Sequence, residues 1–131
     1  MTDLAWVLSF YDDFNRRDLK SFVSKLSPDV VWKEPIGLEA RPYVGPDQVR
    51  RLALEYTLAL WPDAVMVVKE TLQLSGHVIV QGELVGTHAA TEVRHRLPFF
   101  HRWTIRARVV VAFEHSNDPA YRERVIRGET M

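Results

Sequence analysis

The chain has no cysteine, which removes a thiol nucleophile, a disulfide framework and a cysteine-ligated zinc together. It has no net charge: 17 Lys+Arg meet 17 Asp+Glu over 131 residues. A polyanionic partner selects a basic surface, so nucleic acid is not expected as a ligand. No window reaches the roughly 18 consecutive apolar residues that cross a membrane. The opening MTDLAWVLSFYDDF carries acids where a secretory leader carries bases. No membrane partner is expected, and with the lack of disulfides the expected placement is cytoplasmic. Repeats and low-complexity stretches are also missing, so the seven prolines and six glycines read as turns within one unit. What is present is an ordinary globular composition, 47% hydrophobic, 11% aromatic and 26% charged. The length suits a single domain over residues 1–131, with one core that needs no staple.

The zero charge is a sum of unequal halves. Residues 1–90 hold 9 Lys+Arg against 12 Asp+Glu, and residues 91–131 hold 8 against 5. All eight late bases are arginine, a fork that pairs with carboxylates at an interface or on a ligand; base composition of the genome is the plainer explanation.

Hydrophobic periodicity divides the chain. Thr2 can cap a helix carrying Leu4, Val7, Leu8, Tyr11 and Phe14 at spacings of three and four. Asp18 can cap a shorter one with Leu19, Phe22, Val23 and Leu26, ending before Ser27-Pro28. The run from Asp29 to Glu34 is β-branched and stopped by Pro35, which suits a short edge strand. Pro46 opens a third helix with Val49, Leu52, Ala53, Tyr56 and Leu60 on one stripe, closed by Trp61-Pro62. Strand patterns follow over Ala64–Leu74, His77–Ala89, Arg102–Glu114 and Tyr121–Gly128, the first two joined at Ser75-Gly76. Within Arg102–Glu114, Trp103, Ile105, Ala107, Val109, Val111 and Phe113 fall on one face, with Arg102, Thr104, Arg106 and Arg108 on the other. The same alternation places His88 on the inner face of its strand. Helices followed by strands predict an α+β fold, with helices packed on one face of an antiparallel sheet.

The stretch DLKSFVSKLSPDVVWKEPIGLEARPYVGPDQVRRL, with its acid-Pro-x-Gly segment and the Gly before the third helix, and the later Gly86-Thr87-His88, resemble the SnoaL-like and ketosteroid-isomerase-like branch of the nuclear transport factor 2-like superfamily. The resemblance covers nearly the whole chain. It implies one cone-like, curved, mixed or antiparallel sheet closed by three N-terminal helices. The superfamily serves enzymes, binding proteins and assembly modules alike.

For the site, the resemblance implies Glu34 as general base, because it matches the isomerase acid before the proline in Lys33-Glu34-Pro35-Ile36-Gly37. A carboxylate beside Trp and Phe is desolvated, which suits a base that works near neutral pH; a surface glutamate paired with Lys33 or a late arginine is the alternative. The isomerase also needs a tyrosine and a protonated acid as donors to the enolate oxygen. Ungapped counting places the tyrosine position on Phe10 and the acid position near Val109. Tyr11 is one residue away, about 100° around the helix. His88, Tyr43 and Tyr56 are the other polar candidates, His88 as acid, base or donor, or else as a core histidine satisfied by a carbonyl.

Trp6, Phe10, Phe14, Trp32, Trp61, Phe99, Phe100 and Trp103 exceed what a small core needs, and some of them are expected to line an apolar cavity, Phe10, Phe14, Trp32, Trp61, Phe100 and Trp103 above all, with Tyr43, Tyr56 and Val109 beside them. His95 and His101 fall in EVRHRLPFFHRW, read as a loop region, where the spacing fits no zinc pattern. Neither a metal nor another cofactor is expected. Leu97, Pro98, Phe99 and Phe100 form a candidate lid or dimer contact. Arg102, Arg106 and Arg108 mark a solvated outer face, or the homodimer face that superfamily members often use. The reading is a cofactor-independent enzyme moving a proton on an apolar carbonyl or polyketide-like compound. The alternatives are a binding protein for a small apolar organic ligand, or a dimeric interaction module with a filled core. A cavity below about 300 Å³ would favour the last.

Overall fold

The structure, a computed structural model, describes residues 2–35, 41–118, 120, 123, 124 and 127. Helix α1 is Asp3–Asn15, and the Thr2 hydroxyl accepts the Ala5 N–H at 3.0 Å. Its periodic face buries Val7, Phe10, Tyr11 and Phe14. Helix α2 is Leu19–Ser24, capped by Asp18, whose carboxylate accepts the Ser21 N–H. Helix α3 covers 46–60 in three parts: Pro46–Gln48, a π-helical Val49–Glu55, and α-helical Tyr56–Leu60. The stripe of three-and-four spacing predicts a plain helix there; the wider π turns have no Gly or Pro to announce them. Such turns are rare and tend to mark functional sites.

Six strands form one curved, unclosed sheet in the order β2-β1-β6-β5-β4-β3. They are β1 Leu26–Lys33, β2 Tyr43–Val44, β3 Val65–Leu74, β4 His77–Thr87, β5 Arg94–Arg106 and β6 Val109–Ser116. Only the β1–β6 pair is parallel among them. The fold is mixed α+β, and its core joins Phe10, Phe14 and Phe22 of the helices to Trp32, Val78, Val80, Trp103, Val110 and Phe113 of the sheet. Among the described residues no helix is long and apolar enough to cross a membrane.

Three expectations are corrected. Arg102–Glu114 is not one strand: Ala107 (φ 51°) and Arg108 (φ 61°) form a tight turn between β5 and β6. Two successive left-handed residues make the hairpin turn that matches strand twist, and they are usually Gly, Asn or Asp; Ala-Arg hides it. The reversal sets Trp103 opposite Phe113 and buries Val110, not Val109. It also places Arg108 in the turn, so the row with Arg102 and Arg106 is broken, and Arg102 lies within 3.5 Å of Glu114. Second, the supposed loop is strand: β5 begins at Arg94 and pairs along all of β4. Pro98 is accommodated because β6 pairing ends at Phe100, which leaves that side of β5 an edge. Third, β1 starts at Leu26, ahead of Pro28, and has neighbours on both sides. The expected strand over Tyr121–Gly128 lies largely outside the described residues; within them, the Arg124 and Arg127 N–H groups bond to Ala120 and Glu123 carbonyls, a helical spacing.

Candidate active site

Between helices and sheet lies an apolar cavity of about 440 Å³, above the lower end of known ligand sites. Helix α1 contributes Phe10, Tyr11 and Phe14, α3 contributes Leu52, Tyr56 and Thr57, and Trp61 follows it. The sheet contributes Trp32, Phe99, His101, Trp103, Phe113 and His115, with Glu34 just past β1. Of the residues expected from sequence, Glu34, Tyr11, Phe10, Phe14, Trp32, Tyr56, Trp61 and Trp103 line the cavity, whereas His88, Tyr43, Phe100 and Val109 do not.

Each departure has a local cause. Strand β4 stops at Thr87, so His88 enters a turn, where its backbone N–H bonds to Val93 and its Nδ1 accepts the Ala90 N–H. Tyr43 is fully buried on β2 against the core. Phe100 points to the opposite sheet face, packing with Ile79, Leu72 and Leu74; its neighbour Phe99 takes the cavity side. Leu97, Pro98 and Phe99 do line the cavity, but as part of a paired strand wall, not as a free lid.

Glu34 is held from two sides. Its Oε1 accepts the Trp32 indole N–H at 2.7 Å, and its Oε2 accepts His115 Nδ1–H at 2.7 Å. An ionised carboxylate only accepts, so His115 carries a proton on Nδ1. Both side chains are mostly buried, 18% and 24% exposed. The other nitrogen of His115, Nε2, is buried without a partner. The Trp61 indole N–H, on the cavity wall, is buried and unpartnered too.

A second cluster lies alongside. The Trp103 indole N–H donates to the Tyr11 hydroxyl at 2.8 Å, and that hydroxyl is 2.7 Å from His101 Nδ1. His101 stacks on Phe99 with ring centres 4.0 Å apart and meets His115 edge-on at 4.8 Å. Burial, reinforced by the His115 charge, holds His101 well below the ordinary imidazole range. Burial also raises the Tyr11 phenol well above its ordinary value, only partly offset by the Trp103 hydrogen bond. Both are therefore neutral near pH 7.

His101 and His115, directly opposed on β5 and β6, are the functional candidates that the sequence reading missed. The signal was present: His101 is two residues before Trp103 and His115 two after Phe113, so extending each strand's alternation puts both on the cavity face. Among the described residues no three ligating groups gather to hold a metal ion.

A curved sheet closed by three helices over an apolar cavity defines the nuclear transport factor 2-like class. Within it the chain belongs to the SnoaL-like domain family, whose model matches residues 7–113. It is similar to a nuclear transport factor 2-like protein of unknown function from Burkholderia pseudomallei, with 25% identity, a TM-score of 0.80, and 96% of this chain and 98% of that one covered. TerC, co-crystallised with polyporic acid, matches at 22% identity and TM-score 0.76 over 95% and 97%. IdmH from Streptomyces antibioticus, a putative polyketide cyclase, matches at 18% identity and TM-score 0.77 over 88% and 91%. No curated protein sequence matches the chain.

Proposed function

We propose that the protein is a cofactor-independent isomerase or cyclase that moves a proton on a small apolar carbonyl compound, of polyketide-like character, with Glu34 as base. The observation that carries this is the Glu34 carboxylate held by Trp32 and His115 at the wall of a mostly apolar cavity. Glu34 would take a proton from a carbon next to the carbonyl; the C–H electron pair becomes the enolate double bond and the carbonyl pair moves onto oxygen. The protonated Glu34 then returns the proton to another carbon, which isomerises the compound. In a cyclase the enolate carbon instead attacks a second carbonyl, and Glu34 gives its proton to the new alkoxide. His115 and Trp32 keep the carboxylate oriented without competing for the substrate's proton. Polyketide cyclases among the similar folds support the class and not the substrate. The reading includes a cytoplasmic protein that pairs with a second copy through its outer sheet face.

The test is exchange of the α-protons of 2-tetralone, a bicyclic enolisable ketone of cavity size, in D₂O. Positioned general bases contribute about 10²–10⁴-fold, so Glu34→Gln is expected to lose at least about 10² of the catalysed rate. Equal exchange by both proteins sinks the role. A binding protein of the same fold is the second reading, favoured by the fact that both Glu34 oxygens already accept hydrogen bonds; saturable ligand binding with no exchange would support it.

A further inference from the structure

The Tyr11 hydroxyl has one proton to give and no acceptor for it but His101 among the described residues. Its oxygen already accepts the Trp103 indole N–H, which can only donate. If His101 carried its proton on Nδ1, two donors would converge on the phenol oxygen, and the phenol's own proton would be buried unpaired. Buried polar groups normally avoid that outcome. The satisfied arrangement runs one way: Trp103 donates to Tyr11, and Tyr11 donates to His101 Nδ1.

The consequence falls on the other ring nitrogen. His101 Nε2 has no protein partner among the described residues, yet it is not sealed in the core as His115 Nε2 is. His101 is 3% exposed and lines the cavity, which leaves the cavity as the place for a partner to this nitrogen. We propose that the Trp103–Tyr11–His101 chain fixes His101 as the tautomer protonated on Nε2, making it the hydrogen-bond donor to a substrate oxygen in the cavity. Tyr11 and Trp103 are positioning residues that act through it. A neutral imidazole suits this role because it donates to a developing enolate oxygen without presenting a charged acid that would protonate Glu34. The Phe99 stack and the Tyr11 bond fix the ring plane, so the donor costs little to orient during the reaction.

The inference rests on the proposed proton transfer only for the reaction it would serve. The tautomer itself is read without turnover, so the two can fail separately. In ¹⁵N-histidine-labelled protein, the His101 nitrogen shifts are expected to show a protonated Nε2 and an unprotonated Nδ1, and to stay so when the pH is taken below the ordinary imidazole value of 6.5. Tyr11→Phe is expected to release that preference, giving mixed tautomers. Titration with 2-naphthol, a hydroxyl-bearing bicyclic mimic of an enol, is expected to move the Nε2–H resonance. Its Kd should weaken about tenfold in His101→Phe, the scale of one lost hydrogen bond in a dry site, with partial recovery in His101→Gln, whose amide N–H lies near the same place. A protonated Nδ1 or a charged ring in the wild type overturns the proposal, as does an unchanged tautomer in Tyr11→Phe. So does 2-naphthol that fails to bind, or that binds without moving Nε2–H.

Discussion

Two pairs of histidines lie in or beside this sheet, and they differ in what surrounds them. His101 and His115 are cross-strand neighbours inside the cavity, each tied to a named partner, Tyr11 and Glu34. His88 and His95 meet at 6.3 Å beside Trp61, where His88 occupies a turn and bonds only to backbone. An imidazole titrates near neutrality wherever water reaches it, so residue type alone does not mark a site. What separates the pairs is the cavity and the partner: the inner pair lines the cavity and bonds to Tyr11 and Glu34. In chemical terms, the inner rings bond to side chains that can exchange protons, a phenol and a carboxylate, whereas the His88 ring bonds to a backbone N–H.

The largest effect in stability is expected where the inner cluster is anchored. Trp103, 2% exposed and ringed by Phe10, Tyr11, Trp32 and Phe113, should cost about 3–5 kcal/mol on replacement by alanine, measured by urea denaturation. Tyr11→Phe keeps the ring but strands the Trp103 and His101 nitrogens, for an expected loss of about 1–3 kcal/mol by the same method.

His101 also makes stability respond to acid. The folded-state value of His101 is depressed, so between it and 6.5 the unfolded chain binds the extra proton. Stability is then full above 6.5 and falls as pH drops, by at most about 1.4 kcal/mol per pH unit from this residue. His77 on the opposite face is lowered as well, mainly by its own burial, so the informative quantity is the difference in slope between wild type and His101→Gln. Equal slopes would show that His101 is charged or wet in the folded protein. At the small end, His88→Ala should change stability by no more than about 0.5 kcal/mol; a larger loss would mean that the turn histidine has a partner of consequence.

The uneven legibility of the chain follows from the same physics. Helix caps at Thr2 and Asp18 and the proline at 46 announce the helices because each satisfies or spares an orphan N–H, and the structure has all three where the residues place them. Glu34, Trp32 and Phe14 were legible as cavity residues from the resemblance and the aromatic pattern. His101 was hidden because Pro98 suggests a loop, although a proline is tolerated where one side of a strand is an edge. Val109 was misplaced for the opposite reason: Ala107-Arg108 turns the chain without the residues that normally mark a turn. The missed turn reverses the face only as far as Val110: the register shift between Ile105–Val110 and Thr104–Ala112 restores the alternation, so Phe113 was placed correctly, and His115 escaped notice because the expected strand stopped at Glu114. The π segment of α3 was not legible either, because no residue in VRRLALE signals it.

The central claim is that the partnered acid–base cluster at the cavity does the chemistry and the His88–His95 pair does not. The most direct measurement is α-proton exchange of 2-tetralone in D₂O by wild type, Glu34→Gln and His88→Ala side by side. The account predicts exchange that falls by at least about 10² in Glu34→Gln and holds at the wild-type rate in His88→Ala. Exchange that survives Glu34→Gln, or that disappears with His88→Ala in a folded protein, would contradict it.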